Sequence, residues 1–120
     1  MPDTVTLFVY GTLKRGCRNH GALRGAEFLG EAATGPAYLL VNCGTYPGLV
    51  RAQNGQAGVA VRGELYCVDA ALLTELDRFE DVPAEYVRET ILLGDGSEAQ
   101  AYFYALPVAA LEVLGDEWRE

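Results

Sequence analysis

The feature that most limits the fold of this chain is its single strong helical pattern. Four apolar residues recur at the spacing of one helix face: Leu72, Leu73, Leu76 and Phe79. Asp69 stands where an N-cap is expected, and Pro83 prevents the helix from continuing, so we predict a helix over residues 70–80. A chain with one such helix must build most of its core from strands.

The other apolar runs are short and are separated by 14 glycines and 5 prolines. We predict strands over residues 5–10, 59–68, 86–93 and 98–105, with brief strands between residues 28 and 50. Gly94-Asp95-Gly96 favours a hairpin between the last two long strands, and Asn19 is placed to cap a short helical turn that ends at Leu23. The predicted fold class is α+β, with mostly antiparallel strands around one principal helix or a sheet that closes on itself.

Length and composition narrow the class of protein. A chain of 120 residues fits a single domain over 1–120, and no apolar run approaches the roughly 18 residues of a membrane span. The net charge of -8 argues against a nucleic-acid partner. Three scattered cysteines favour neither a disulfide framework nor a metal site, and the N-terminal residues do not resemble a secretory signal. We therefore expect a cytoplasmic protein without membrane, nucleic acid, metal or cofactor.

The charge is unevenly distributed along the sequence. Residues 1–60 carry a net charge of +2, with five basic and three acidic groups, whereas residues 61–120 carry -10, with four basic and fourteen acidic groups. Four of the five early basic residues lie between positions 14 and 24. This stretch is either a contact for an anionic partner or a solvated loop.

The loop after the first predicted strand contains two glycines, Gly11 and Gly16, with four residues between them. A phosphate-binding P-loop would continue with Gly-Lys-Ser/Thr, but Cys17 and Arg18 follow here, so that interpretation fails. Two interpretations remain open: a plain turn, or a loop whose backbone N–H groups hold an anion or a developing oxyanion.

Glu80 is a candidate for proton transfer. It lies four residues after Leu76, at the border of the apolar helix face and at the helix C-terminus. Burial and the helix dipole both disfavour an anion there and raise the pKa of a carboxyl group towards neutrality. The alternative is that Glu80 forms a surface ion pair with Arg78 or Arg88.

The other reactive residue types give little support for a nucleophilic site. Ser97 is the only serine and falls in the predicted hairpin turn, so His20, the only histidine, lacks the partners of a catalytic triad. A dyad of Cys17 and His20 has no supporting pattern. Of the seven tyrosines, Tyr10 and Tyr86 flank the glycine loop and the helix end.

Together these segments resemble one protein family. The resemblance is carried by the segments Phe8-Val9-Tyr10-Gly11-Thr12-Leu13-Lys14-Arg15-Gly16, Asn19-His20, Leu23, Gly63-Glu64-Leu65-Tyr66, Leu76-Asp77-Arg78-Phe79-Glu80-Asp81-Val82-Pro83 and Tyr86-Val87-Arg88. They resemble the gamma-glutamylcyclotransferase-like superfamily. The stretch from Lys14 to His20 is closest to the gamma-glutamylamine cyclotransferase branch.

The resemblance implies a small mixed, mostly antiparallel β-barrel with flanking short helices. It further implies that Glu80 is the catalytic acid/base and that the substrate is bound by Tyr10, Gly11, Thr12, Leu13, Tyr46 and Tyr86. Asp81 replaces the glycine that is common after the catalytic glutamate. The implied reaction releases an amine from a small gamma-glutamyl substrate and forms 5-oxoproline, with no cofactor or metal.

Two other functions remain open at this point. The same pocket could hold an amino-acid-like anion without turnover, because a pocket and a carboxylate do not prove catalysis. The chain could also release a gamma-glutamyl group from a carrier-linked product, with Lys14, Arg15 and Arg18 contacting the anionic carrier. The leaving amine and the oligomeric state are not determined by the sequence.

Overall fold

The fold combines a five-stranded sheet with a separate two-stranded sheet and a short α-helix. The structure is a computed structural model that describes residues 3–120. The strands are β1 (Thr4–Val9), β2 (Glu27–Ala33), β3 (Tyr38–Asn42), β4 (Pro47–Arg51), β5 (Arg62–Asp69), β6 (Tyr86–Leu92) and β7 (Glu98–Tyr104). The helix α1 spans Ala70–Phe79, and a 3-10 helix spans His20–Leu23. These elements confirm the predicted α+β class.

The strand β1 lies at the centre of the larger sheet. The strand order is β2-β5-β1-β7-β6, and β1 pairs antiparallel with β5 and parallel with β7. The other pairs in this sheet are antiparallel, and β6 and β7 form the predicted hairpin. Leu7, Phe8 and Val9 are fully buried, as expected of a central strand that is covered on both faces. The loop after β1 therefore begins in the middle of the sheet.

The predicted closure of the sheet into a barrel is wrong. The edge strands β2 and β6 meet only beyond one end, at a bridge between Thr34 and Leu93. There Gly94 donates a backbone hydrogen bond to Ala33 over 2.9 Å. Closure requires a continuous ladder between the two edge strands. Here β3 and β4 form their own sheet instead, and Leu40 and Leu49 pack into the core beside Phe8.

The helix α1 begins where the sequence predicts and ends one residue earlier. The Asp69 carboxylate accepts a hydrogen bond from the Leu72 backbone N–H over 2.8 Å, which confirms the N-cap. Leu73 and Leu76 are buried against β1 and β5 side chains. Phe79, predicted on the apolar face, is 50% exposed, because the helix ends at this residue.

The C-terminal end of α1 is closed by a Schellman motif. The Asp81 N–H bonds the Arg78 carbonyl over 3.1 Å, and the Val82 N–H bonds the Asp77 carbonyl over 2.9 Å. Asp81 has φ 55, the left-handed conformation that this motif requires. Glycine adopts that conformation without cost, which explains why glycine suits position 81. The motif fixes Glu80 as the C-cap residue, directly after the last helical residue.

Other segments depart from the sequence predictions. β5 begins at Arg62 rather than at Val59, which instead forms a bridge with Tyr38. The Asn19 side chain makes no capping bond to the 3-10 helix. The tail lies along β3, where the Leu114 N–H bonds the Leu40 carbonyl over 2.8 Å. No helix within residues 3–120 is long and apolar enough to cross a membrane.

Candidate active site

The loop after β1 is anchored to the sheet through Glu64, a buried residue of β5. Its Oε1 accepts hydrogen bonds from the Arg15 backbone N–H and from the Tyr66 hydroxyl, both over 2.9 Å. Its Oε2 pairs with the Arg15 guanidinium at 3.2 Å. Each bond to an ionised acceptor is stronger than a neutral one, and the backbone bond fixes the loop itself.

The first residues of the loop are held from the other side by Asn19 and His20. The Asn19 amide donates to the Thr12 hydroxyl over 3.0 Å, and the Asn19 N–H donates to the Thr12 carbonyl over 2.9 Å. The His20 Nδ1 lies 2.8 Å from the Leu13 carbonyl, so this nitrogen carries the proton. His20 thus supports the loop through this bond.

Gly11 is needed for a close approach between this loop and β4. A Cβ atom at position 11 would lie 2.7 Å from Cγ of Pro47, which is well inside contact distance. In the part of the chain that the structure describes, the backbone N–H groups of Gly11, Thr12 and Leu13 donate no hydrogen bond. The Lys14 N–H bonds the Gly11 carbonyl over 3.1 Å, so the loop starts with a turn that leaves these three N–H groups available to an anion.

Glu80 faces this loop with an unpaired carboxyl group. Burial raises its pKa to about 7, and the charge of Glu85 contributes to the increase. No ion pair or hydrogen bond to its side chain occurs among residues 3–120. Arg88 instead binds Asp77 through two contacts of 2.9 and 3.2 Å. The alternative of a surface ion pair with Arg78 or Arg88 is therefore wrong.

Two neighbouring cavities share Glu80 in their linings. The inner cleft has a volume of about 30 Å³ and the outer chamber about 180 Å³. Both are lined by Thr12, Glu80 and Tyr86. Tyr10, Gly11 and Leu13 line the inner cleft only, and Tyr46 lines the outer chamber only. The fold thus brings all seven residues of the predicted site around two cavities that share three lining residues.

The tyrosines form walls of this space and are already hydrogen-bonded. The Tyr10 hydroxyl donates to the Tyr102 carbonyl over 2.7 Å, and the Tyr86 hydroxyl donates to the Pro47 carbonyl over 2.8 Å. Burial raises the pKa of both hydroxyl groups, so both remain protonated near neutral pH. Their bonds lock the aromatic rings beside Glu80 and leave Glu80 as the group suited to proton exchange.

Sequence reasoning missed several residues that line the site. Glu85 and Phe79 lie in the outer chamber with Arg18 and Asn19, and Tyr102 lies in the inner cleft. The Tyr46 hydroxyl donates a hydrogen bond to Oε2 of Glu85, and this bond raises the pKa of Tyr46 to about 12. The one available signal for Glu85 was its place between Glu80 and Tyr86 in the chain.

Three basic residues of the stretch between positions 14 and 24 have partners within the chain. Lys14 is buried and its Nζ donates to the Trp118 carbonyl over 2.6 Å. Arg15 pairs with Glu64, and Arg18 pairs with Glu120 at 3.2 Å. Because these charges are engaged within the chain, the structure gives no support to a carrier contact at this loop.

A larger groove of about 660 Å³ lies on the other side of the loop. It contains none of the seven predicted site residues, and its arginines already have acidic partners: Arg15 with Glu64, Arg62 with Asp116 and Arg119 with Glu117. Within residues 3–120, no three His, Cys, Asp or Glu side chains are grouped to hold a metal ion. The cavities around Glu80 are therefore the candidate active site.

The family model described as gamma-glutamyl cyclotransferase, AIG2-like, matches residues 7–120. The chain belongs to this family. The match confirms the resemblance that the motifs around Tyr10 and Glu80 indicated.

Relatives within the gamma-glutamyl cyclotransferase family match most of the chain. A putative gamma-glutamylcyclotransferase of Vibrio cholerae is 45% identical over 98 residues, which cover 82% of this chain and 80% of that protein. Gamma-glutamylaminecyclotransferase A of Danio rerio is 36% identical and covers 84% of this chain and 68% of its own length. The crystal structure of an aig2-like protein from mouse superposes with a TM-score of 0.69 at 33% identity, over 89% of this chain and 80% of that one.

Proposed function

We propose that this protein cyclises the gamma-glutamyl group of a small amide substrate and releases the attached amine. The substrate's own α-amine attacks the γ-carbonyl carbon, and a new C–N bond closes the five-membered ring. The C–N bond to the leaving amine then breaks. The proton lost by the attacking amine reaches the leaving amine, and the products are 5-oxoproline and a free amine.

The observation that carries this proposal is that Glu80 shares one cleft with three residues whose backbone N–H groups are unengaged. Glu80, Gly11, Thr12 and Leu13 line the inner cleft, and the N–H groups of residues 11–13 have no acceptor within residues 3–120. A carboxyl group with a pKa of about 7 can both accept and return a proton near neutral pH. Glu80 is therefore suited to take the proton from the attacking amine and deliver it to the leaving amine.

The loop supplies the second requirement of the reaction, which is charge stabilisation. We expect the N–H groups of residues 11–13, which have no acceptor within residues 3–120, to bind the α-carboxylate or the oxyanion that forms on the γ-carbonyl. One donor of this kind contributes about 3 to 4 kcal/mol to transition-state stabilisation. Proximity and orientation can lower an activation barrier by roughly 7 to 11 kcal/mol. Because ring closure is intramolecular, holding the substrate in a reactive conformation supplies part of this reduction.

The size of the site favours a small substrate. The cleft and the chamber, about 30 and 180 Å³, each fall below the roughly 300 Å³ of typical ligand pockets. A gamma-glutamyl amine would have to occupy both volumes, with its γ-carbonyl beside Glu80, which lines both. The leaving amine then extends into the outer chamber.

The experiment that tests this function is incubation with a panel of gamma-glutamyl amines and gamma-glutamyl peptides, with 5-oxoproline quantified directly. Formation of 5-oxoproline together with an equal amount of free amine is the expected result. Ligand-induced thermal stabilisation without product would instead favour a binding module that does not turn its ligand over. If no compound of the panel yields product or stabilises the protein, both functions are contradicted.

A further inference from the structure

The outer chamber contains a carboxylate that the proposed reaction does not use. Glu85 is half-buried and lines the chamber beside Tyr46, whose hydroxyl donates to its Oε2. No Lys, Arg or His of residues 3–120 lies within ion-pair distance of Glu85. Glu85 thus offers the chamber a carboxylate whose one hydrogen-bond donor among the described residues is neutral, so it is free to pair with a cation.

The nearest basic residues cannot supply that partner because they are bound elsewhere. Arg18 is the one basic residue in the chamber lining. The Arg18 Nε lies 3.2 Å from Oε2 of Glu120, and the Arg18 backbone N–H donates to Oε1 of Glu120 over 2.9 Å. The Arg18 Nη2 donates to the Thr45 carbonyl. Arg88, farther along β6, is held by Asp77. The chamber therefore presents the carboxyl groups of Glu80 and Glu85 against one arginine that is already neutralised.

We propose that Glu85, oriented by Tyr46, is a specificity-determining residue that selects leaving amines carrying a second positive charge. This inference rests on the proposed cyclisation at Glu80. A short diamine would place its free ammonium group against Glu85 while its acylated nitrogen lies at Glu80. An α-amino acid would be disfavoured as the leaving group, because its carboxylate would lie beside two acidic side chains.

The dimensions and charges of the chamber agree with this assignment. A volume of about 180 Å³ is small for a ligand pocket, which suits a short unbranched amine. Glu85 also acts on Glu80 through its charge, so the two carboxyl groups interact across the chamber. A cation between them would relieve that repulsion, whereas a neutral alkyl group would leave it in place.

The test compares two substrates of equal length that differ only in charge, gamma-glutamylputrescine and gamma-glutamylpentylamine. The wild-type kcat/KM is expected to favour the charged substrate by at least about tenfold, the effect of one charge-assisted contact. In Glu85→Gln this ratio should fall to near one, and in Tyr46→Phe to an intermediate value. The matched control is Glu89→Gln, an exposed residue of β6 that pairs with Arg51 and lines neither site cavity; its ratio should equal the wild-type ratio.

The readout is the ratio, because a change in Glu80 protonation would alter both rates together. A wild-type ratio near one, or a ratio that Glu85→Gln leaves unchanged, would overturn the assignment while 5-oxoproline formation upholds the proposed function. The unchanged ratio would also appear if Glu85 bound the glutamyl α-amine, which both substrates share. If the wild-type protein forms no 5-oxoproline from any gamma-glutamyl compound, the proposed function fails and this inference fails with it.

Discussion

The backbone N–H of Arg15 donates a hydrogen bond to the buried carboxylate of Glu64 over 2.9 Å. This bond joins the loop after β1 to β5, the strand that runs antiparallel beside β1. The N–H groups of Gly11, Thr12 and Leu13, which we propose to bind the substrate, belong to the same loop. Their positions therefore depend on a carboxylate that does not itself line the cleft.

Replacing Glu64 by alanine is expected to lower the free energy of unfolding by about 3 kcal/mol, because the Arg15 N–H and the Tyr66 hydroxyl lose their acceptor. Arg15→Ala is the matched control. It removes only a half-exposed guanidinium and keeps the backbone bond, so we expect a loss below about 1 kcal/mol. Urea unfolding measures both, and equal losses would show that the backbone bond contributes nothing.

Replacing Gly11 by alanine should destabilise the protein by about 1 to 3 kcal/mol and reduce turnover, because the added Cβ would lie 2.7 Å from Pro47 Cγ. Gly21→Ala is a fair comparison, since a Cβ there meets nothing within 4 Å. Thermal unfolding and 5-oxoproline release are the measurements. A Gly11→Ala protein as stable and active as Gly21→Ala would exclude the close approach as a requirement.

Local patterns in the sequence predicted the elements that carry the site. The run ending at Gly11 predicted the central strand β1, and the Asp69 cap with Leu73 and Leu76 predicted α1. The family motifs then identified Glu80. Each of these features depends on residues close together in the chain or on a motif that spans few positions.

The features that the sequence did not predict depend on contacts between distant segments. Whether β2 pairs with β6 depends on how far the sheet twists, and only Thr34 and Leu93 meet. Glu64 and Leu65 point to opposite faces of β5, and both faces are covered. The alternation of the strand therefore did not predict that the Glu64 side chain is buried. Glu85 enters the site only because the chain folds back after α1 and places it against Tyr46.

Asp81 should be replaceable by glycine without loss of stability, because its φ of 55 suits glycine better than any side chain. We expect Asp81→Gly to keep or raise the free energy of unfolding by up to about 1 kcal/mol. Asp81→Val should lower it by about 1 to 2 kcal/mol, since a branched side chain opposes the left-handed conformation. Chemical denaturation tests the pair, and an equally stable valine variant would contradict the role assigned to the Schellman motif.

The raised pKa of Glu80 predicts how Glu80→Gln changes stability with pH. Between its ordinary value of 4.5 and about 7, the folded protein holds a proton that the unfolded chain has lost, so the stability contributed by neutral Glu80 disappears as pH rises through 7. Glutamine stays neutral, so the variant should gain stability relative to wild type between pH 5 and 8, roughly. The gain is at most about 3 kcal/mol, and solvent screening of a half-buried group reduces it to about 1 to 2 kcal/mol.

This gain is measured by urea unfolding of both proteins at several pH values. Glu89→Gln, at an exposed position, controls for the removal of one negative charge from the chain. A stability difference between Glu80→Gln and wild type that does not change with pH would contradict the environment assigned to Glu80.

The most direct test of the central claim is 5-oxoproline release by Glu80→Gln, measured with a substrate that the wild-type protein turns over. Proton transfer by a positioned carboxyl group typically contributes about 10²- to 10⁴-fold to a rate. We therefore predict that kcat falls by at least about 100-fold while the substrate still raises the Tm of the variant, because glutamine preserves the shape of the cleft. Undiminished 5-oxoproline release by Glu80→Gln would contradict the claim that Glu80 is the general acid/base.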